Sequence, residues 1–193
     1  MRTVKIVADS SANVMELKSV AFDAAPLKII TAQREFMDDR NLDLEEMISE
    51  GKSYEEICTY IPEYQKKTGL LFMLESLNNF AANGRVSPAV AKIAGVLGIR
   101  IVGKASDVGT LEPTDKCRGK EKSLKTILKH LKESGLKTGK VILAHCLNEP
   151  AANALKNMIE TDLPGVAVKI GKNFGLCSFY AEKGGLLVGF EKL

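Results

Sequence analysis

Short apolar runs alternate along this chain with stretches in which apolar residues recur every three or four positions. Residues 4–8 are almost wholly apolar and lead into Asp9, Ser10 and Ser11, the pattern of a short buried strand ending in a polar loop. Residues 26–31 read as a second strand. Asp38, Asp39, Arg40 and Asn41 are turn chemistry, after which Asn41 or Asp43 can cap a short helix reaching Met47. Ser53 with Glu56 three positions later fits a capping box. The helix it opens should run to about Thr68, with Pro62 kinking it and Gly69 ending it.

Residues 70–74 form a compact apolar strand. A short helix from Ser76 should end near Gly84. Ser87 followed by Pro88 is a second start signal, with Val90, Ile93, Ala94 and Leu97 on one face of the helix beyond. Residues 99–102 are another strand. Leu124, Ile127, Leu128 and Leu131 follow the spacing of an amphipathic helix. Residues 141–144 are strand, Pro150 opens a helix with Leu155, Met158 and Ile159 inward, and residues 166–170 alternate as strand. Residues 175–190 look like two strands around Glu182, Lys183, Gly184 and Gly185.

This alternation predicts an α/β layer architecture, with a boundary between residues 1–68 and 69–193. Hydrophobic residues make up 45% and charged residues 26% of the 193, enough apolar material for a core and against disorder. The net charge of +3 is too small to point to nucleic acid or an anionic membrane. No apolar run approaches the ~18–20 residues of a membrane span, and Lys5 interrupts the only N-terminal one, so the expected location is the cytoplasm. Cys58, Cys117, Cys146 and Cys177 are widely spaced, which predicts free, mostly buried thiols and no metal site or redox motif.

Four groups of residues could carry chemistry. Gly51, Lys52 and Ser53 look like the end of a phosphate-binding loop, but that loop needs glycine where Glu46 stands and a strand in front. His145 and Cys146 are neighbours on a strand and point to opposite faces, so they cannot form a nucleophile pair; a hydrogen-bonded structural His145 is expected. His130, on a lysine-rich helix, should be solvated. The basic run Lys116, Arg118, Lys120, Lys122, Lys125, Lys129 and Lys132 reads as the wet face of a helix and lacks the aromatics used to stack on nucleic acid. In Asn83-Gly84-Arg85-Val86-Ser87-Pro88, Gly84 permits a tight turn. Arg85 sits beside a helix start that can attract an anion, although capping alone would explain the pattern.

Taken together, these segments resemble the bacterial DegV family of fatty-acid-binding proteins. Ile6-Val7-Ala8-Asp9-Ser10-Ser11 is similar to its first strand and loop, and Pro26-Leu27-Lys28-Ile29 to its second strand. Phe36-Met37-Asp38-Asp39 is similar to the turn that follows. From Gly51 the likeness is nearly continuous. It runs through Leu77-Asn78-Asn79-Phe80 and Gly84-Arg85-Val86-Ser87, then Ile99-Arg100-Ile101-Val102, Lys116-Cys117-Arg118-Gly119-Lys120 and Ala144-His145.

The resemblance implies a remnant N-terminal α/β lobe plus a more complete C-terminal α/β lobe. It implies a carrier, not an enzyme, with a long-chain fatty acid buried between the lobes and presented in some members to a separate fatty acid kinase. No cofactor or metal is implied. The family holds the carboxylate with two hydroxyl motifs and a C-terminal histidine. Both motifs are missing here between Met47 and Gly51, where about a third of the family length is absent. An internal deletion, natural or engineered, or residues omitted from the sequence would each leave this pattern. Tyr180 stands where the histidine belongs. The head-group candidates are therefore Ser10, Ser11 and Tyr180, and the anion or partner candidates Arg85, Arg118 and His145. Phe72, Leu74, Ile93, Leu97 and Leu176 are expected to line the acyl tail. The alternative is a structural remnant or homo-oligomerising scaffold that binds no lipid; an enzyme of acyl or phosphate chemistry ranks last.

Overall fold

A computed structural model describes residues 5–9, 21–25, 44–87, 89, 91–92, 98–106 and 110–191. Strands β1 (Lys5–Asp9) and β2 (Ala21–Ala25) pair in parallel as a two-stranded sheet. β1 lies where the first apolar run predicts it. β2 precedes the predicted second strand at 26–31, which lies outside the described residues.

A six-stranded mixed sheet organises the rest. Its strands are β3 (Thr68–Leu74), β4 (Ile99–Ala105), β5 (Leu111–Arg118), β6 (Thr138–His145), β7 (Gly165–Lys172) and β8 (Leu186–Glu191). The order across the sheet is β5-β4-β3-β8-β6-β7. Only β6 and β7 run parallel, because the helix between them carries the chain back to the starting end. The helices are α1 (Leu44–Ser49), α2 (Tyr54–Lys66), α3 (Asn78–Ala82), α4 (Lys120–Glu133), α5 (Glu149–Asp162) and α6 (Gly175–Ala181). Ala89, Ala91 and Lys92 are also helical.

The period-two alternation of the strands sorts their side chains between two apolar clusters. Leu71 and Met73 of β3, Val102 of β4, Val141 and Leu143 of β6, and Leu186, Val188 and Phe190 of β8 belong to one. The apolar stripes of α4 and α5 complete it: Ile127, Leu131, Leu155 and Ile159 are fully buried. Phe72 and Leu74, one position out of step, join Ile101, Leu77, Phe80, Ala91 and Ala181 in the other. The expected faces of both long helices are thus present, with Met158 only half-buried.

Three expectations are corrected. α2 begins on its capping box, Ser53 N–H donating to Glu56 Oε2 at 2.7 Å and Glu56 N–H to Ser53 Oγ at 3.2 Å. It ends at Lys66, not Thr68, because Thr68 and Gly69 pair with Glu191 and Phe190 as the start of β3. The expected lobe boundary at 68/69 therefore falls inside a strand. Lys116 and Arg118 lie on β5, not on a helix. This is an edge strand bonded to β4 alone, where charge and Pro113 are tolerated. The tail holds one helix and one strand in place of two strands, since residues 175–181 coil to seat Ala181 in the second cluster.

Candidate functional site

The second cluster ends in a stack of side chains around Tyr180. α3 closes with a Schellman turn: Gly84 N–H donates to Ala81 O at 3.0 Å and Arg85 N–H to Phe80 O at 2.8 Å. Gly84 has φ 69°, the left-handed conformation such a turn requires and glycine adopts without a Cβ clash. This turn fixes the position of Arg85 next to α6. Its guanidinium carbon lies 4.9 Å from the centre of the Tyr180 ring. Tyr180 in turn packs on Phe80, centroids 4.6 Å apart, and meets Phe179 edge-on at 5.1 Å.

A charged group, a phenol and two aromatic rings therefore meet at the margin of an apolar layer. The cation and the phenol can donate to an anion, beside an apolar layer. Arg85 and Tyr180, candidates for separate reasons in the sequence, are brought together. Phe72 and Leu74 are buried in the layer beneath, at 2% and 1% exposure. Leu176 is half-buried on α6. Ser10, Ser11, Ile93 and Leu97 lie outside the described residues.

Arg118 and His145 have other surroundings. Arg118 ends β5 and lines an open hollow of about 520 Å³ with Gly119, Lys120, Glu121, Lys122 and Lys125. His145 is 5% exposed at the end of β6. Its Nδ1 accepts from Asn148 N–H at 3.2 Å, and its carbonyl accepts from Asn173 N–H at 2.9 Å, the hydrogen-bonded histidine the sequence suggests.

His130 corrects the expectation of a solvated side chain. Its Nε2 lies 2.7 Å from Asp115 Oδ2 and its Nδ1 3.2 Å from Glu133 Oε2, with 23% of the side chain exposed. The hydrogen bond with His130 holds the Asp115 carboxyl below its ordinary range; burial opposes this and Thr114 assists. The lysines of α4 do form a wet face: Lys125 pairs with Glu121, Lys129 with Glu133, and Lys132 with Asp162. Of the cysteines, Cys58 is exposed, contrary to expectation, and Cys117 is buried. Among the described residues no cluster of His, Cys, Asp or Glu is placed to hold a metal, and no helix is long and apolar enough to cross a membrane.

Sequence reasoning missed Ser76, Asn79 and Glu182 as partners. Ser76 Oγ–H donates to Glu182 Oε2 at 2.6 Å and Asn79 N–H to Glu182 Oε1 at 2.9 Å. Each pair lies more than a hundred residues apart in the chain, so no local pattern announces it.

The fold is a mixed α/β sheet with long helices buried in one cluster and an arginine–aromatic stack at the margin of the other. The chain belongs to the DegV family, whose model, described as that of uncharacterised proteins, matches residues 42–192. A DegV domain-containing protein of Streptococcus pyogenes is 43% identical over 155 residues, covering 80% of this chain and 55% of the relative. The chain thus spans about half the length of the curated relatives it matches. Among solved structures, a DegV family protein of Eubacterium eligens loaded with heptadecanoic acid is 31% identical. It aligns with a TM-score of 0.84 over 97% of this chain and 99% of its own. The fatty acid kinase B3 protein of Streptococcus pneumoniae, loaded with linoleic acid, is 42% identical. Its TM-score is 0.73 over 77% of this chain and 53% of its own.

Proposed function

We propose that this chain is a DegV-type lipid carrier that binds a long-chain fatty acid in the cytoplasm and presents its carboxylate to a separate fatty acid kinase. The observation that carries the reading is the contact of Arg85 with Tyr180 at the edge of the layer formed by Phe72, Leu74 and Phe80. The fatty acids held by the E. eligens and S. pneumoniae relatives support it, and the kinase assignment rests on the latter. Tyr180 and Arg85 form the polar end, with Ser10 and Ser11 as further donors. With both hydroxyl motifs missing this cage is thin, and the acyl tail dominates affinity at about 0.8 kcal/mol per buried methylene.

Organic extraction of the purified protein with mass spectrometry should release acyl chains. Calorimetric titration with matched fatty acids and alcohols should show binding that strengthens with chain length and depends little on the head group. Strong preference for the acid would reveal a carboxylate site beyond these residues. No heat from either ligand would favour a non-binding, self-associating scaffold. The exposure of Tyr54 and Tyr60 on α2, 76% and 45%, is the feature that fits that second reading.

A further inference from the structure

Glu182 sits where the backbone calls for glycine. It follows α6 with φ 50° and ψ 177°, a conformation that L side chains rarely adopt and that costs backbone energy. Such a residue persists only where its surroundings hold it, and here its carboxylate supplies the hold. It accepts from Ser76 Oγ–H and from the backbone N–H of Asn79, both at the start of α3. Asn79 answers across the same gap, its Nδ2 donating to Phe179 O at 2.6 Å. These bonds tie α3 to the last turn of α6, the turn that carries Tyr180.

Other hydrogen bonds reach α6 from elsewhere: Ser178 Oγ–H donates to Asn173 O at 2.7 Å and Cys146 Sγ–H to Ser178 O at 3.8 Å, and neither of these two involves α3. Within α6 only Ala181 is fully buried, and Phe174 just before the helix and Phe179 within it remain 45% and 44% exposed. The chain after Glu182 is anchored to the end of β6, Gly184 N–H donating to Cys146 O and Asn148 Nδ2 to Gly184 O. A Cβ at Gly184 would stand 2.5 Å from the Glu75 carboxyl carbon, so a side chain there would have to displace that of Glu75. A short helix with so little apolar burial depends on its polar contacts, and hydrogen bonds to a charged group are the stronger kind.

We propose that Glu182 is the positioning residue of the polar end of the site. Its carboxylate latches α6 onto α3 and so holds Tyr180 between Phe80 and Arg85. Glu182 need not touch the ligand; it acts through Tyr180. The consequence for binding rests on the fatty-acid reading above, whereas the latch itself is a property of the protein alone.

The test compares wild type with Glu182→Ala, Glu182→Gly and Glu182→Gln, using ring-labelled tyrosine NMR and backbone hydrogen exchange on the full chain. Glu182→Ala keeps the strained backbone and removes the carboxylate; Glu182→Gly removes both. Both should move the Tyr180 ring resonances toward those of an exposed tyrosine and speed exchange at Asn79 and residues 178–181 by about tenfold. Glu182→Gly should nevertheless melt above Glu182→Ala, which separates positioning from stability. Glu182→Gln keeps an acceptor for Asn79 N–H and should restore most of the wild-type Tyr180 signal. Ser76→Ala, which leaves the backbone untouched, should shift the same resonances by less and serves if Glu182→Ala does not fold. Palmitate and myristate affinities should fall by one common factor in Glu182→Ala, because the polar end moves while the tail contacts stay. Unchanged Tyr180 resonances and Asn79 exchange in both the Ala and Gly variants would overturn the latch. A wild-type protein that takes up no fatty acid would sink the carrier reading instead, with the NMR and exchange results still deciding the latch.

Discussion

The two apolar clusters on either side of the six-stranded sheet are closed by different means. One is covered by α4 and α5, each a 14-residue amphipathic helix whose buried residues come at three- and four-residue spacing. Among the described residues the other is met by α3 and α6, of five and seven residues, and by helical Ala91, with Phe80, Ala91 and Ala181 their buried contributions. Long helices hold themselves to a sheet through apolar area. Short ones need specific contacts, and the second cluster supplies them through aromatic stacking, a Schellman turn and the Glu182 carboxylate. The difference separates a region held by buried apolar area from one held by specific ring and polar contacts.

The comparison can be broken by mutation. Leu155→Ala, in the first cluster, should cost about 2–5 kcal/mol, the usual range for truncating a fully buried leucine, in urea unfolding. Fatty acid affinity should be unchanged while the protein stays folded. Phe80→Leu, in the second, should cost less, about 0.5–1.5 kcal/mol for the lost ring pair, yet weaken fatty acid binding in the same calorimetric assay. A reversal of those two patterns would mean that the clusters do not divide stability from binding.

Smaller effects sharpen the contrast. Asp115 joins β5 to α4 through His130, and its carboxyl is held below the ordinary value of 3.8. A depressed carboxyl stabilises the fold fully above its unfolded pKa, and the contribution is lost as pH falls through the folded value. Asp115→Asn should therefore lower stability near neutral pH, by less than about 1 kcal/mol for a pair this exposed. The gap from wild type should close from about pH 4 downward; thermal melts across pH 3–7 would reveal a constant gap if the pairing carries no proton linkage. Arg85→Ala should have the smallest effect on stability, about 0.5–1 kcal/mol for an exposed cation–π contact. A change that unfolds the protein would make Arg85 structural.

The first cluster was largely legible in the sequence. Leu124, Ile127, Leu128 and Leu131 announce one covering helix, and the runs at 70–74 and 141–144 announce strands that a helix must cover. β5 escaped notice because an edge strand can be polar on much of its surface: Glu112, Thr114, Lys116 and Arg118 are all exposed. α6 escaped because seven residues span only about two helical turns, too few to distinguish its period from that of a strand. Contacts with α3 from the far side of the chain accompany its helical form. Arg85 and Tyr180 were identified singly, as a signature arginine and a replaced histidine. Their stacking needs Gly84 and Glu182 to deliver them to one place, and spacing along a chain carries no such distance.

The sheet's order also bears on how the protein is made. β8, the last strand in chain order, lies between β3 and β6, pairing Leu71 with Val188 on one side and bringing Leu143 to the same Val188 on the other. As the chain leaves the ribosome, the β3-β4-β5 meander and the β6-α5-β7 unit are both complete before the strand that joins them exists. Synthesis at roughly 5–20 residues per second puts on the order of ten seconds between β3 and β8. During that interval β3 and β6 each present an unpaired edge that invites association with other chains. Fusing the C-terminus to a stalling sequence, so that β8 stays within the exit tunnel, should therefore leave two protease-sensitive halves, with the sheet closing as one unit only on release.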